Sequence, residues 1–221
     1  MNLFAFDLRP DAVELFLLKD KKEIYKELNA EKTQSEILLE AIDLFLKENE
    51  MPLKKLDLIA CNRGPGSFTA LRIAMAAAKG LSEGADIPMI SVCGLDAYAA
   101  FSKECSEILL PVIDGRKKRF YAAFYRAGER CGDYMDLPAE AIVEISPQNA
   151  AVAVCGSDAE IFRTALNGNL PAGWSIAPRF HRPPIAEWSR IAAKKYAGGE
   201  IDSPAQGPFY IRKSQAEEGN G

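Results

Sequence analysis

From Asn2 to Asn29 the chain strings together three apolar runs, NLFAFDL, AVELFLLK and the weaker KEIYKELN, the first two separated by Arg9-Pro10-Asp11. Runs of this length bounded by turn residues predict three consecutive strands. The period then changes. Apolar residues recur at helical spacing from about Ser35 to Glu48, LDLIACN reads as a buried strand, and a second helix follows from about Ser67 to Ser82. PMISV predicts another strand and LDAYAAFSKE another helix. Hairpin-linked strands followed by alternating helix and strand predict an α/β fold, a mixed sheet flanked by helices.

The second half repeats part of this pattern. ILLPVIDGRKKRFYAAFYRAGE and NLFAFDLRPDAVELFLLKD both read strand, Asp-x-Arg, turn, strand, so Asp7 and Asp114 hold matching positions. The duplicated hairpin start predicts two similar subdomains, 1–105 and 106–221, with a cleft between them. After Gly128 the pattern is looser. AVAVCGSDAEIFRTAL predicts a strand and then a helix capped by Ser157 or Asp158, IAEWSRIAAKKYAGG a last helix ended by glycine, and SQAEEGNG a frayed tail.

Duplicated strand–turn–strand units ending in aspartates resemble the actin, hexokinase and heat-shock ATPase architecture (ribonuclease H-like, ASKHA). In that superfamily the two hairpin turns face each other and hold nucleotide phosphates and a metal. Such turns need small residues so that backbone N–H groups reach a phosphate oxygen. The turn DLRPD instead carries bulky Leu8 and Pro10, which has no N–H to donate. The turn DGRKK keeps a glycine and is cationic. One open turn of two points to a nucleotide cleft that no longer serves an ATPase. The rival is an active ATP-dependent kinase or ATPase of the same superfamily. A plainer role for Asp7 and Asp114 is to hold their turns through hydrogen bonds from nearby backbone N–H groups.

Composition narrows the chemistry. The chain has 221 residues, 48% of them hydrophobic, enough for a sizeable core, and no apolar run long enough to span a membrane. Its start has neither the basic region nor the cleavage site of a signal peptide. Five dispersed cysteines without a C-x-x-C pair fit reduced thiols, and together these features predict a cytoplasmic protein. The net charge of −4 argues against strong nucleic-acid binding by the chain alone. The one basic cluster, Gly115 to Tyr121, is either a solvated turn or a contact for an anion or partner. A single histidine, His181, excludes two-histidine metal motifs and makes a metal-dependent peptidase improbable; it reads as a loop or capping residue. No metal or cofactor is expected.

NRGPGSFTALRIAMAAAKG, Asn62 to Gly80, runs from a glycine-rich turn into a helix of small residues. It lacks both the Walker Gly-Lys-Ser/Thr and the last glycine of G-x-G-x-x-G, which leaves only a generic anion site at the helix start through Ser67. Ala70, Ala74, Ala76, Ala77 and Ala78 keep the helix surface shallow, so another helix can approach closely. In the preceding helix the apolar positions, among them Ile37, Leu38, Leu39, Ile42, Leu44 and Phe45, cover roughly 220° of the wheel, where facing one core needs little over about 100°. Two readings stand open: a helix buried between sheet and neighbouring helix, or one whose surplus apolar face meets another protein.

At these residues the chain resembles a known family. GPGSFTALRIAMAAAKGL is similar to the signature G-P-G-S-F-T-G-L-R-I-G of the TsaB (YeaZ) family, the bacterial accessory subunits of tRNA threonylcarbamoyladenosine synthesis, through Gly64, Pro65, Gly66, Ser67, Phe68, Thr69, Leu71 and Arg72. LPVIDGRKKRFYAAFY resembles the family's P-x-x-D-A-R-x-x-x-V-Y, and GPFYIRK its C-terminal P-x-Y-L-R. The departures are Leu8 and Arg9 where the family has D-T-S, Gln34 near its usual histidine, and Ala70 and Ala74 for two glycines.

The resemblance implies two actin-like subdomains without catalytic or metal residues. It implies pairing through the first-subdomain helices with a catalytic paralogue, TsaD, and association with a small ATPase, TsaE. It further implies contact with tRNA only through that complex, and a homodimer when the chain is alone. On this account Leu38, Ile42, Phe45, Arg72, Ala74 and Ala78 are expected on or beside a surface that pairs with a second chain, with the glycine-proline turn fixing the entry angle of the contact helix.

Overall fold

The computed structural model describes residues 1–9, 12–29, 34–178 and 184–212. Pro10, Asp11, His181, the tail SQAEEGNG and the side chain of Gln34 lie outside the described residues. In chain order the first elements are β1 (Leu3–Leu8), β2 (Ala12–Lys19), β3 (Lys22–Asn29), α1 (Gln34–Glu48), β4 (Leu58–Gly64), α2 (Phe68–Ala85), β5 (Met89–Cys93) and α3 (Gly94–Phe101). Then come β6 (Ile108–Asp114), β7 (Phe120–Arg126), β8 (Glu129–Leu137), α4 (Ala139–Glu144), β9 (Val152–Cys155), α5 (Ala159–Ala165), β10 (Trp174–Ile176) and α6 (Pro184–Ala197). The chain divides into two compact units, Met1–Gly94 with Pro183–Phe209, and Leu95–Arg182 with Tyr210–Gly221.

Each unit is built on a five-stranded mixed sheet, β3-β2-β1-β4-β5 in the first and β10-β9-β6-β7-β8 in the second. The two orders are one topology: the first strand of each unit pairs antiparallel with the second and parallel with the fourth. Asp7 and Asp114 end, or nearly end, the corresponding first strands, β1 and β6. The duplication read from the sequence is therefore a duplication of whole sheets. It includes two strands the sequence hides, the edge strands β8, whose residues ERCGDYMDL are mostly exposed, and β10, only three residues long. An edge strand needs only one bonded neighbour and tolerates charge and glycine, so it carries no apolar alternation to read.

In the first unit all six residues of β1 are buried. Phe4, Phe6 and Leu8 of that strand, with Val13, Leu15 and Leu17 of β2, meet Leu38, Ile42 and Phe45 of α1 and Ala74 and Ala78 of α2 in one core. The rings of Phe4 and Phe45 lie 6.2 Å apart. Burying a side chain of this size contributes about 1.5–3 kcal/mol. The intervening residues of β1 and β2 are buried too, and α6 packs against β1, β4 and β5 through Ile185, Ala186, Trp188 and Ala192 to cover that second face. In the second unit Ala139, Ile142, Ala159 and Phe162 of α4 and α5 cover one face, with Phe162 set edge-on to Phe120 at 5.1 Å. Ala99 of α3 lies against the other, beside Leu109, Tyr125 and Cys155.

Candidate functional site

The signature turn leaves β4 at Gly64 and enters α2 at Ser67. Asn62 Oδ1 accepts from the backbone N–H of Gly64 at 2.8 Å. Ser67 takes the N-cap position in extended backbone, its Oγ accepting from Ala70 N–H at 3.5 Å and its carbonyl from Leu71 N–H at 2.9 Å. Gly64 has a φ of 121° and is joined to Pro65 by a cis peptide bond. The start of the C-terminal motif, through Phe209, comes to the same place. Phe209 N–H donates to the Arg63 carbonyl at 2.6 Å, and the Arg63 guanidinium lies 5.5 Å from the Phe209 ring centroid. Two stretches that the sequence singles out separately are thus one structural feature.

Asn62 also joins this turn to the end of β1, because its side chain hydrogen-bonds the Asp7 carboxyl. Asp7 lies opposite Glu14 across the β1–β2 ladder, and both are buried. Burial, then the Glu14 carboxylate, push the Asp7 carboxyl up from 3.8 to about 7, against the opposing Asn62 hydrogen bond. Glu14 is held by Arg9 Nη1 at 3.2 Å and faces the Tyr25 hydroxyl at 2.9 Å, while Arg9 Nη2 reaches Glu27 at 3.3 Å. Leu8 points into the core shared with α1 and α2. Sequence reasoning singled out Asp7 but missed Glu14 and Asn62. The β1–β2 ladder carried the signal: reciprocal bonds join Arg9 and Ala12, and the strand register sets Asp7 opposite Glu14.

The second turn is built differently. Asp114 Oδ1 accepts from Arg116 N–H at 2.8 Å, and Gly115 N–H donates to the Arg119 carbonyl at 2.9 Å. Asp158 occupies the N-cap position of α5 but makes no side-chain bond to that helix; its Oδ2 accepts from Asp114 N–H at 2.8 Å. Beneath the turn, Arg212 donates through Nε and Nη2 to the two oxygens of Asp136, each at 2.6 Å, and through Nη1 to the Gly115 carbonyl at 2.9 Å. Arg119 Nε adds a third bond to Asp136 at 3.1 Å. Burial opposes ionisation of Asp136, but the two guanidinium groups prevail and hold it below the usual carboxylate range. Arg116, Lys117 and Lys118 all have left-handed backbone, with φ of 62°, 53° and 60°. Each such residue other than glycine costs about 1 kcal/mol. Among the described residues no group of three His, Cys, Asp or Glu side chains is placed to hold a metal ion.

The helix residues singled out for a partner surface fall as follows. Leu38, Ile42, Phe45, Ala74 and Ala78 are each at most 2% exposed and lie in the first unit's own core; Arg72 is exposed. The buried stripe of α2 is Ala70, Leu71, Ala74, Met75 and Ala78. Small residues at 74 and 78 therefore bring α2 close to its own unit's interior, and the same helix turns Thr69, Arg72, Ala76, Gly80 and Gly84 outward. A Cβ on Gly80 or Gly84 would meet nothing within 4 Å. The surplus apolar arc of α1 is real but shifted: Leu39 and Leu44 are 59% and 49% exposed. Leu39 opens onto a groove of about 740 Å³ whose apolar lining includes Leu46, Met51, Leu53 and Leu81, with Asp43, Lys47 and Glu50 at its edge.

Comparison with known proteins bears on these features. The family model described as TsaD, tRNA N6-adenosine threonylcarbamoyltransferase, matches residues 27–179. The chain is 29% identical to the tRNA threonylcarbamoyladenosine biosynthesis protein TsaB of Haemophilus influenzae, over 68% of this chain and 70% of that protein. It is 24% identical to the Bacillus subtilis protein of the same name, over 98% and 96% of the two chains. The structure of YeaZ from Pseudomonas aeruginosa superposes with a TM-score of 0.74 at 24% identity, covering 95% of this chain and 99% of that one.

Proposed function

The chain belongs to the TsaD family, tRNA N6-adenosine threonylcarbamoyltransferase, on its TsaB (YeaZ) branch, and from that premise we propose that it is a non-catalytic partner in tRNA threonylcarbamoyladenosine biosynthesis. In this reading it pairs through the outer surfaces of α1 and α2 with a TsaD-type catalytic paralogue, and a TsaE-type ATPase joins them. It meets tRNA only within that assembly, in the cytoplasm, and self-associates through the same helices when alone.

The observation that carries the non-catalytic part is the state of the first turn. A phosphate-and-metal turn needs an exposed, ionised carboxylate and free backbone N–H groups. Asp7 is buried, bonded to Asn62 and pushed up to about 7, and the adjoining Arg9 is engaged by Glu14 and Glu27. The pairing part is supported by the outward stripe of Thr69, Arg72, Ala76, Gly80 and Gly84 beside the Leu39 groove, where small residues let a second helix backbone come close.

The test is reconstitution. Purified chain, TsaD-type subunit and TsaE-type ATPase are combined with unmodified tRNA, ATP and a threonylcarbamoyl donor, and nucleosides are quantified by mass spectrometry. Modification that needs all three proteins, with none from this chain alone, is the expected result. Steady ATP hydrolysis by the chain alone that disappears in Asp7→Ala or Asp114→Ala would overturn it in favour of an ATPase or kinase.

A further inference from the structure

The turn between β6 and β7 places three consecutive cations, Arg116, Lys117 and Lys118, at an exposed tip. All three adopt the left-handed backbone that glycine and asparagine fill with less strain. The conformation is imposed from below. Asp114 takes the Arg116 N–H, Gly115 and Arg119 close the loop, Asp158 holds Asp114 N–H, and Arg212 reaches the Gly115 carbonyl. Arg119 and Arg212 share the carboxylate of Asp136, and Arg116 pairs with Asp114 at 3.2 Å. Lys117 and Lys118 have no hydrogen bond or ion pair among the described residues. A chain of net charge −4 thus holds two uncompensated ammonium groups on a braced tip.

We propose that this tip, through Lys117 and Lys118, is a contact for the phosphate backbone of an RNA bound by the assembled complex. The proposal rests on the function proposed above, which brings tRNA to that complex. Ammonium groups act as compact point charges and pair with phosphate oxygens without the forked geometry that a carboxylate and a guanidinium share. The contact carries no sequence information; it positions the substrate. An anionic polymer is repelled by the acidic chain as a whole, so a braced pair of cations fixes where it can approach.

The test measures binding of unmodified tRNA transcript to the complex of this chain with its catalytic partner by filter binding between about 50 and 200 mM salt, the range over which phosphate contacts separate from others. K117A/K118A is expected to weaken binding about tenfold at the low-salt end and to lower the slope of log K against log salt by about two, one per lost phosphate contact. K117R/K118R should restore both. Unchanged affinity and slope in K117A/K118A would overturn the proposal. So would a folded K117A/K118A chain that no longer captures the catalytic subunit, since the tip would then face an acidic protein surface. A parental complex that binds tRNA with the full slope yet forms no threonylcarbamoyladenosine would count against the proposed function and leave the tip contact standing.

Discussion

The carbonyl oxygen of Phe209 occupies the space a side chain on Gly64 would need: a Cβ there would lie 2.5 Å from it and 3.1 Å from Leu71 Cδ1. The glycine of the G-P-G-S-F turn is thus demanded by the backbone of the C-terminal motif and by its own φ of 121°. The turn's first role is to seat the segment around Phe209 against β4, and the entry of α2 follows from that seat. Lys79 Nζ bonds the Pro204 carbonyl at 2.8 Å and Asp202 Oδ2 bonds Ser91 N–H at 2.8 Å, so the same segment is fastened to α2 and to β5 as well.

Gly64→Ala should therefore destabilise the first unit by about 2 kcal/mol or more, combining an unfavourable φ with a backbone clash. Gly66→Ala is the control: its added Cβ would meet only Leu71 carbons at 3.9 Å, and it should cost under about 1 kcal/mol. The chain has two tryptophans, Trp174 in the second unit and Trp188 in the first. In a Trp174→Phe background, urea unfolding followed by the remaining fluorescence reads the first unit alone. Equal midpoints for the two glycine variants would remove the proposed demand for glycine at position 64.

Asp7 gives the first unit a defined pH dependence. Its folded value is raised, from 3.8 to about 7, so the folded state holds the proton more tightly than the unfolded chain. That contribution is fully present below about 4 and is lost as pH rises through about 7. Asp7→Asn keeps the shape and removes the titration. Relative to the parent, the variant should gain about 3 kcal/mol between pH 5 and pH 8, at 1.36 kcal/mol per unit. A constant difference across that range would mean the carboxyl is ionised in the folded protein.

Asp136 has the opposite sign. Its folded value is depressed by Arg212 and Arg119, so its contribution is present above the unfolded carboxylate value of about 3.9 and fades as pH falls through the lower folded value. Arg212→Met leaves Asp136 with Arg119 alone, and should cost the second unit about 1–3 kcal/mol at neutral pH. The loss should shrink below about pH 4. In a Trp188→Phe background Trp174 reports on this unit. Loss of stability in the first unit only, with the second unchanged, would contradict the assignment of Arg212.

The sheets were legible because buried strands such as LFAFDL and AVELFLLK are apolar on both faces, and the duplicated Asp-x-Arg hairpins revealed the repeat. β8 and β10 were not: an edge strand made of ERCGDYMDL lacks that pattern, and WSI is too short to show one. The polar contacts split the same way. Asp7 opposite Glu14 follows from the hairpin register, whereas Asp136 with Arg212 joins residues 76 positions apart, which no local spacing encodes. The helix wheels gave the width of the apolar arc but not its phase. Which alanines of α2 face inward depends on how closely that helix approaches its own sheet, and Ala74 and Ala78 proved to be the inward pair.

That phase decides how a partner surface on α1 and α2 is tested. Ala78 is fully buried among core side chains, so Ala78→Glu places an unpaired charge inside the first unit, at a cost of several kcal/mol, and should unfold it whether or not a partner binds. Leu39 and Ala76 face outward, so Leu39→Glu with Ala76→Glu should leave the thermal midpoint within about 2 °C of the parent, as surface changes usually do. If the outer face of these helices is the pairing surface, the double variant loses the apolar burial worth about 25 cal/mol per Å² and sets two charges against the incoming helix. Size-exclusion chromatography should then show a folded monomer, and capture of the TsaD-type subunit should fall by at least about tenfold, equivalent to 1.4 kcal/mol. A double variant that melts like the parent and still dimerises or captures that subunit would place the pairing surface elsewhere on the chain.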